Sequence, residues 1–301
     1  MIGTKARDTL AESVVDQHAL APASSRPGVF RALLAHRTGV AGLVIVAGVA
    51  LIAIAAPLIA PDDPTRVDAL RRLAPPSADT WLGTDNLGRD IASRLIWGAR
   101  LSLGTAGLAA LLILTIGVGL GMIAGFYGGL VDDVLMRIVD VLLAFPALIL
   151  ALAIAGVLGP SITSVMIGIV AVAWADYARV MRGQVLSARE RQYVEAARAT
   201  GVRNTRILAR HLLPNVLPPI LVLASLEMGG LILAISGLSF LGLGAQPPTP
   251  EWGAMLNDGR SFIAAAPQLM IYPGLAISIV VVGFNLLGDG LRDAFDPHLR
   301  L

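Results

Sequence analysis

The residues able to do chemistry in this sequence are few and widely spaced. The chain of 301 residues contains no cysteine, which excludes disulfides and thiolate metal sites. Its histidines lie apart, at positions 18, 36, 211 and 298, without the His-Glu-x-x-His pair of zinc hydrolases. Lys5 is the sole lysine, and no phosphate-binding Gly-x-x-x-x-Gly-Lys-Ser/Thr loop occurs. We therefore predict no catalytic residue, no metal site and no hydrolysis of ATP by this chain itself.

The longest charged stretch between strongly apolar segments covers residues 194–214. Residues 187–190 have a hydroxyl followed three residues later by a carboxylate, the pattern of a capping box. This pattern predicts one helix of about three turns that continues to Thr200, since neither glycine nor proline interrupts it. Gly201 then fits the left-handed residue that commonly ends a helix.

A second short helix is expected over residues 205–212, capped by Asn204 and stopped by Pro214. Small residues are expected on one face of the preceding helix, where they would permit close approach by a partner: Ala196, Ala197 and Thr200. The stretch therefore predicts two helices joined at a glycine, with a small-residue face and arginines around it.

The composition indicates that this charged stretch is held between membrane spans. Hydrophobic residues make up 55% of the chain and charged residues only 15%, with a mean hydropathy of +0.74. Soluble domains carry about a quarter charged residues, so an integral membrane protein is indicated. A net charge of +2, without a basic face, argues against nucleic-acid binding. Apolar runs predict six transmembrane helices in an all-α fold, over residues 40–60, 101–126, 134–158, 161–180, 216–243 and 268–287.

The distribution of arginine predicts the orientation. The connection 181–214 has a large excess of arginine over acidic residues, which marks the cytosolic side. Six spans then place both termini in the cytosol. The expected organisation is an N-terminal cytosolic tail 1–39, a first anchor 40–60, an external segment 61–100 ending in an interfacial helix, a membrane core 101–291 containing the cytosolic loop 187–214, and a cytosolic tail 292–301.

Within the second predicted span, glycines recur at intervals of four. Gly117, Gly121 and Gly125 form a ridge that permits close packing against another helix. The sequence leaves open whether that helix belongs to this chain or to a partner.

Polar residues in the predicted spans are the candidates for a transport pathway. Asp140 lies inside a span, where an ionisable group often marks a pathway, although Arg137 one turn earlier offers it an ion-pair partner. Asn285 is a second candidate. Asp176 and Arg179 are expected at the membrane interface, near the end of the fourth span.

The charged stretch also resembles a known motif. Glu-Ala-Ala, three residues, Gly and a later Leu-Pro are similar to the EAA loop of bacterial ABC-importer permeases. The matching residues are Glu195, Ala196, Ala197, Gly201, Leu213 and Pro214. His211 replaces the isoleucine of the general motif, and this departure resembles the peptide and nickel branch. Segments 82–90, 246–253 and 285–293 look like those of the C-type permease of dipeptide and oligopeptide uptake systems.

This resemblance implies a type I ABC-importer permease of the bacterial inner membrane, which binds no cofactor itself. It implies several partners: a homologous second permease, two ATPase subunits (separate or fused) that bind ATP and Mg²⁺, and an extracytoplasmic binding protein. The residues implied to couple to the ATPases are Glu195, Ala196, Ala197, Gly201, His211, Leu213 and Pro214. The residues expected to contact the binding protein are Asp85, Arg89, Asp90 and Trp252.

The cargo is the part of the function that the sequence leaves open. A dipeptide or oligopeptide is expected, whereas nickel, opine and glutathione importers share the same motifs. An ion-coupled secondary transporter is the competing class, and it would need paired acids in the spans or an inverted repeat. An intramembrane hydrolase lacks the catalytic residues, and a purely structural anchor does not explain the glycine-rich later spans.

Overall fold

The computed structural model describes residues 33–34 and 36–295, and this part of the chain is built from helices without a strand. The predicted tails, including most of 1–39 and residues 296–301, lie outside the described residues. The α-helices are α1 (Arg37–Ile59), α2 (Ile91–Tyr127), α3 (Gly129–Leu143), α4 (Ala147–Leu158), α5 (Ile162–Arg189), α6 (Gln192–Ala199), α7 (Asn204–Arg206), α8 (Leu213–Phe240), α9 (Trp252–Gly259) and α10 (Gln268–Phe295). Short 3₁₀ turns cover Ala69–Arg71 and Arg260–Phe262, and a π-helical turn covers Ile207–Leu212.

The long helices confirm the predicted all-α membrane fold. In the described part of the chain, five helical segments are long and apolar enough to cross a membrane: α1, α2, α5, the continuous segment Asn204–Phe240, and α10. The bent pair α3–α4 brings the number to six when it is counted as one span.

The third predicted span is not one straight helix. Helices α3 and α4 meet at a bend of 88°, so the third span expected over 134–158 is not one continuous helix, although the pair is long and apolar enough to cross the membrane as one broken span. Pro146 is the cause, because proline has no N–H to donate and disfavours helical geometry at the preceding residue, Phe145.

The separate interfacial helix expected at the end of the external segment is also wrong. Residues 91–100 form the first turns of α2, which continues without a break to Tyr127. Asp90 caps this helix, since its side chain accepts a hydrogen bond of 2.7 Å from the backbone N–H of Ser93. Arg94 is buried by the folded external segment and does not lie on a lipid surface.

The capping box predicted at 187–190 is wrong, whereas the glycine-ended helix after it is present. Residues up to Arg189 belong to the end of α5, and α6 begins only at Gln192. Gly201 has a φ of +75°, the left-handed conformation predicted for it. The chain thus turns twice, once around Glu190 and once at Gly201.

Pro214 does not stop a helix, contrary to the sequence prediction. The chain stays helical from Asn204 to Phe240, and Pro214 lies in the first turn of α8. The π-helical turn Ile207–Leu212 directly precedes it. The continuation is tolerated because the π-helical turn already interrupts the regular α-helical hydrogen bonds next to Pro214, which has no N–H to donate.

The glycine ridge of α2 packs against α5 of the same chain, and this is the most extensive helix pairing among the described residues. A Cβ atom built on Gly117 would lie 2.6 Å from the Cβ atom of Tyr177, and one built on Gly125 would lie 2.9 Å from the carbonyl oxygen of Arg182. Such approach is available only to glycine. The neighbour that the sequence left open is therefore within the chain.

Helix α1 packs along α10 and so joins the two ends of the described chain. Gly39 and Gly290 face each other closely enough that a Cβ atom on Gly39 would lie 3.1 Å from the Cα atom of Gly290. His36 lies 4.0 Å from the carboxylate of Asp293 at the same end. The larger part of the buried core lies between α2, α5, α8 and α10.

Candidate functional site

Two hydrogen bonds define the opposite ends of the helical bundle. At one end, the backbone N–H of Ser161 donates to the carbonyl oxygen of Leu243 at 3.0 Å, which places the start of α5 beside the end of α8. At the other end, Arg189 donates to the carbonyl oxygen of Gly125 at 2.8 Å. The external segment and α9 lie at the first end, because they follow α1 and α8 there. Helix α6 lies at the second end.

Helix α6 rests on the bundle through one face and exposes the other. Val194 and Ala197 are buried, and they pack into the hydrophobic core that also contains Ile207 of the π-helical turn. Glu195 and Ala196 are exposed to solvent. The small-residue face is therefore divided: Ala197 packs inward, and Ala196 is free to contact another protein.

The turn at Gly201 is a Schellman motif, which fixes the end of α6. The backbone N–H of Gly201 donates to the carbonyl oxygen of Arg198 at 3.0 Å, and that of Val202 donates to Ala197 at 3.1 Å. Nothing lies within 4 Å of the position of a Cβ atom on Gly201, so glycine is favoured here by its left-handed φ and not by crowding from neighbouring atoms.

The remaining residues of the charged motif lie where the loop joins α8. His211 is half-buried in the π-helical turn, and its carbonyl oxygen accepts a hydrogen bond of 2.6 Å from the side chain of Asn215. Leu213 is half-buried against the core, and Pro214 is exposed. Glu195, Ala196 and Pro214 thus share solvent exposure at one end of the bundle.

Arginine side chains join α6 to α2 and α5 to α3. The guanidinium of Arg198 lies 5.3 Å from the ring centroid of Phe126, near the end of α2, which is within cation–π range. Arg182 of α5 forms a two-pronged salt bridge with Asp132 of α3, one bond of which measures 2.6 Å. Arg198 thus connects α6 directly with α2.

At the opposite end, two arginines and two aspartates form a buried group that we call the outer charge cluster: Asp85, Arg89, Arg94 and Asp258. Arg89 donates to Asp85 at 2.6 Å and to Asp258 at 2.9 Å. Arg94 lies 3.4 Å from each of the same carboxylates. The cluster joins the external segment, the start of α2 and the end of α9.

The four residues expected to contact a binding protein are buried within the chain. Asp85 and Arg89 belong to the outer charge cluster, and Asp90 caps α2. Trp252 packs on Gly98, and its indole N–H donates to the carbonyl oxygen of Leu95 at 3.0 Å. These side chains stabilise the outer surface and do not form it. Exposed apolar residues lie around them, namely Leu70, Trp81 and Leu87.

Glu251 is a buried carboxylate at the start of α9. It accepts hydrogen bonds from the backbone N–H groups of Gly253 at 3.0 Å and Ala254 at 2.8 Å, and from the hydroxyl of Ser102 at 3.1 Å. Burial raises the pKa of the Glu251 carboxyl above its ordinary value, and these hydrogen bonds oppose that rise only in part. The residue connects α9 with α2.

A groove of about 470 Å³ lies between helices α2, α4, α5 and α8. Most of its lining is apolar, from residues such as Ala110, Ile113 and Met228. Its polar side chains are Asp176, Tyr177 and Glu227. Asp176 therefore faces the groove from α5, and the interfacial position expected for it stays a prediction.

The two predicted pathway residues do not line this groove. Asp140 pairs with Arg179 of α5 at 2.5 Å, and both side chains are about half exposed, so the expected pair with Arg137 is wrong. Asn285 is exposed on α10, with its amide oxygen 3.2 Å from the position of a Cβ atom on Gly229. Both assignments to the pathway stay predictions.

Comparison with known proteins decides the family. The family described as "Binding-protein-dependent transport system inner membrane component" matches residues 117–301, and the "N-terminal TM domain of oligopeptide transport permease C" matches residues 28–76. The chain belongs to this family of permeases. The matched ranges contain the Glu-Ala-Ala motif, α1 and most of the lining of the groove.

Named relatives cover most of this permease. It is 46% identical over 90% of its length to a dipeptide transport system permease of Alkalihalophilus pseudofirmus, and it covers 89% of that protein. It is 48% identical over 85% of its length to a nickel transport system permease of Escherichia coli, with 93% coverage of the relative. A glutathione transport system permease of Pectobacterium atrosepticum is 43% identical over 90% of both chains.

Several residues of the permease escaped the sequence analysis. Glu227 is the lone ionisable residue of α8, and that isolation in an apolar run was the available signal. Asp258 and Arg94 are far apart in sequence and are brought together only by the fold, so no local pattern predicts their contact. In the described part of the permease, no group of three or more His, Cys, Asp or Glu side chains is placed to hold a metal ion.

Proposed function

We propose that this permease forms half of the translocation pore of an ATP-driven importer, and that α6 and the turn at Gly201 dock onto an ATPase subunit. The observation that carries the proposal is the exposed face of α6. That helix lies outside the spans, is anchored by Val194 and Ala197, and leaves Glu195 and Ala196 free. A short helix held in this way is suited to occupy a cleft in a partner.

The loop is also built to pass on a displacement. The Schellman motif at Gly201 and the buried side chains of Val194 and Ile207 hold α6 at a fixed angle to the bundle. Arg198 contacts Phe126 of α2, and the π-helical turn continues into α8. When ATP closes the ATPase pair, movement of α6 would shift α2 and α8 together. ATP and Mg²⁺ are bound by the ATPases and not by the permease.

The remaining partners follow from the two ends of the bundle. The end that carries α6 faces the cytosol, together with both termini, and the end that carries the external segment faces outward. A homologous second permease completes the pore, and an extracytoplasmic binding protein docks on the outer surface around Trp81, Leu87 and Leu70. Asp85, Arg89, Asp90 and Trp252 support that surface from within.

The cargo that we propose is a dipeptide or a longer peptide. Relatives named for dipeptide and glutathione transport match the permease over 90% of its length, and both cargoes contain peptide bonds. The relative named for nickel transport keeps a metal cargo as the alternative. Uptake of alanyl-alanine compared with uptake of Ni²⁺, both by the reconstituted importer, distinguishes them.

Crosslinking tests the docking proposal directly, because the chain has no cysteine of its own. Ala196→Cys places a thiol on the exposed face of α6, and Leu70→Cys places one on the external segment, where Leu70 is 97% exposed. A short bifunctional crosslinker should join Ala196→Cys, but not Leu70→Cys, to an ATPase subunit of the purified importer.

Labelling of intact cells supplies the orientation. A membrane-impermeant maleimide should label Leu70→Cys from outside and should reach Ala196→Cys only after the membrane is opened. Labelling of Ala196→Cys from outside, or a crosslink from Leu70→Cys to the ATPase, would contradict the proposal.

A further inference from the structure

Two carboxylates lie at matching depth in the groove between α5 and α8. Asp176 follows Ile162, the first residue of α5, by 14 residues, and Glu227 follows Leu213, the first residue of α8, by 14 residues. Each of these helices has 28 residues, so each acid lies near the middle of its own helix. Both line the same groove of about 470 Å³.

Neither carboxylate is neutralised within the described part of the chain. Asp176 and Glu227 take part in none of the ion pairs found there, and neither accepts a hydrogen bond from a described side chain. The contrast with Asp140 and Asp132 is direct, since each of those acids pairs with an arginine of α5. An ionised carboxylate at membrane depth is costly unless it faces a polar cavity or a positive charge.

Tyr177 provides an independent polar group at the same place. Its side chain lines the groove and is 8% exposed, and its hydroxyl has no hydrogen-bond partner among the described residues. Both carboxylates are close enough to the hydroxyl to act on it electrostatically. A hydroxyl that is accessible from the groove and has no partner in the described chain is free to bond a polar group that enters the groove.

The chemistry of these three groups favours an organic cation over a metal ion. Two carboxylates and a phenol present acceptors to a donor of positive charge, and a primary ammonium offers three N–H donors. A divalent metal needs more ligands than this site supplies, and the described residues contain no group of three metal-ligating acids or histidines. The apolar remainder of the groove suits uncharged side chains.

We propose that Asp176, Glu227 and Tyr177 form a transient site for the α-ammonium group of a peptide as it passes through the pore. The inference rests on the proposed function and specifies which part of the cargo this half of the pore recognises. Binding in this groove holds the peptide by its amino end while its side chains contact the apolar wall.

Import by the complete importer, reconstituted in liposomes with its second permease, ATPases and binding protein, tests the site. The measurement is the amount of radiolabelled alanyl-alanine imported per ATP hydrolysed. Glu227→Gln and Asp176→Asn should each lower this ratio about tenfold, the equivalent of about 1.4 kcal/mol for one lost ionic hydrogen bond. Glu227→Asp should retain most of it, and Glu227→Lys should abolish import.

Asp133→Asn is the matched control, because Asp133 is an exposed carboxylate of α3 outside the groove. It should leave the ratio unchanged. ATP hydrolysis stimulated by the loaded binding protein should persist in every variant, which shows that the complex is assembled and that the loss arises in the pore.

Three outcomes would overturn the site. Dipeptide import with an unchanged ratio in Glu227→Gln and Asp176→Asn removes the ammonium site and leaves the proposed function intact. Loss of the second permease from purified Glu227→Gln complex assigns Glu227 to a subunit interface instead. A Glu227→Asp variant as impaired as Glu227→Gln shows that shape, and not charge, is what matters. If the wild-type complex imports no dipeptide at all, the proposed cargo itself is wrong.

Discussion

Substitution of Arg89 is expected to loosen the external segment far more than substitution of an exposed arginine nearby. Arg89 is 1% exposed and donates to the carboxylates of Asp85 at 2.6 Å and Asp258 at 2.9 Å. Arg89→Gln removes one positive charge from a buried group of two cations and two anions. Removal of one partner from a buried ion pair costs about 3 to 5 kcal/mol, because the other partner stays buried without its counter-charge.

The assay is amide hydrogen exchange of the external segment in the purified importer. The backbone N–H groups of Asp85 and Leu73 are bonded inside that segment and report its local opening. A loss of about 3 kcal/mol raises their exchange rates about 100-fold. Arg66→Gln is the matched control, since Arg66 is 71% exposed and pairs with Asp62 at 3.7 Å, an interaction of about 0 to 1 kcal/mol.

A double substitution separates charge burial from packing. The double variant with Arg89→Met and Asp85→Leu leaves Arg94 and Asp258 to neutralise each other. Its external segment should therefore open less readily than that of the Arg89→Gln variant. Two results would refute this reasoning. One is that Arg89→Gln raises the amide exchange rates no more than Arg66→Gln does. The other is that the loss of local stability in the double variant equals the sum of two large losses from the single substitutions.

Three further predictions concern single sites. Gly201→Ala must adopt a φ of +75°, at a cost of about 1 to 2 kcal/mol, and should speed proteolysis at the loop while the spans stay intact; unchanged cleavage would contradict this. Gly121→Val forces a side chain against α5 and should cost about 1 to 3 kcal/mol of stability, whereas the side chain of Gly119→Val meets open space. Only Gly121→Val should therefore lower the Tm in detergent. Equal Tm values for the two variants would contradict the packing argument. Burial raises the pKa of Glu251, so the folded protein holds its proton to higher pH than the unfolded chain does. The stability that this proton contributes is complete below the ordinary pKa of 4.5 and is lost as pH rises through the raised pKa of Glu251. Over that pH range the Tm should fall in the wild type and in the control Glu190→Gln, which changes an exposed residue. The Tm should stay level in Glu251→Gln.

The sequence predicted those features that depend on residues close together in the chain. Apolar runs located the long helices, as for α10, whose predicted start at residue 268 agrees with Gln268, but they missed helical turns beyond the apolar residues, as for α2, which begins at Ile91 and not at residue 101. Gly201 was recognisable because only a left-handed residue suited that position. The coupling motif could be found from residue spacing alone, although its contact with an ATPase stays a proposal.

Errors arose where tertiary contacts override local signals. The capping-box pattern at 187–190 lost to the continuation of α5, and Pro214 was read as a stop although a proline in the first turn of a helix is tolerated. Burial of Asp85 and Trp252 could not be foreseen, because it depends on Asp258 and Gly98, which are distant in sequence. Glu227 was missed because only the packing of α5 and α8 brings it into the same groove as Asp176, which is distant in sequence.

The widened turn Ile207–Leu212 affects how α8 is rotated about its own axis. A π-helical turn amounts to one residue inserted into an α-helix, and each residue of an α-helix advances the azimuth by about 100°. Relatives of this chain that lack the inserted residue, or a variant from which one residue of the turn is deleted, would rotate all of α8 by about that angle relative to α6. Glu227 would then face a different neighbour although its own sequence surroundings were unchanged. The rotation of α8 about its own axis, relative to α6, is thus set by this single turn.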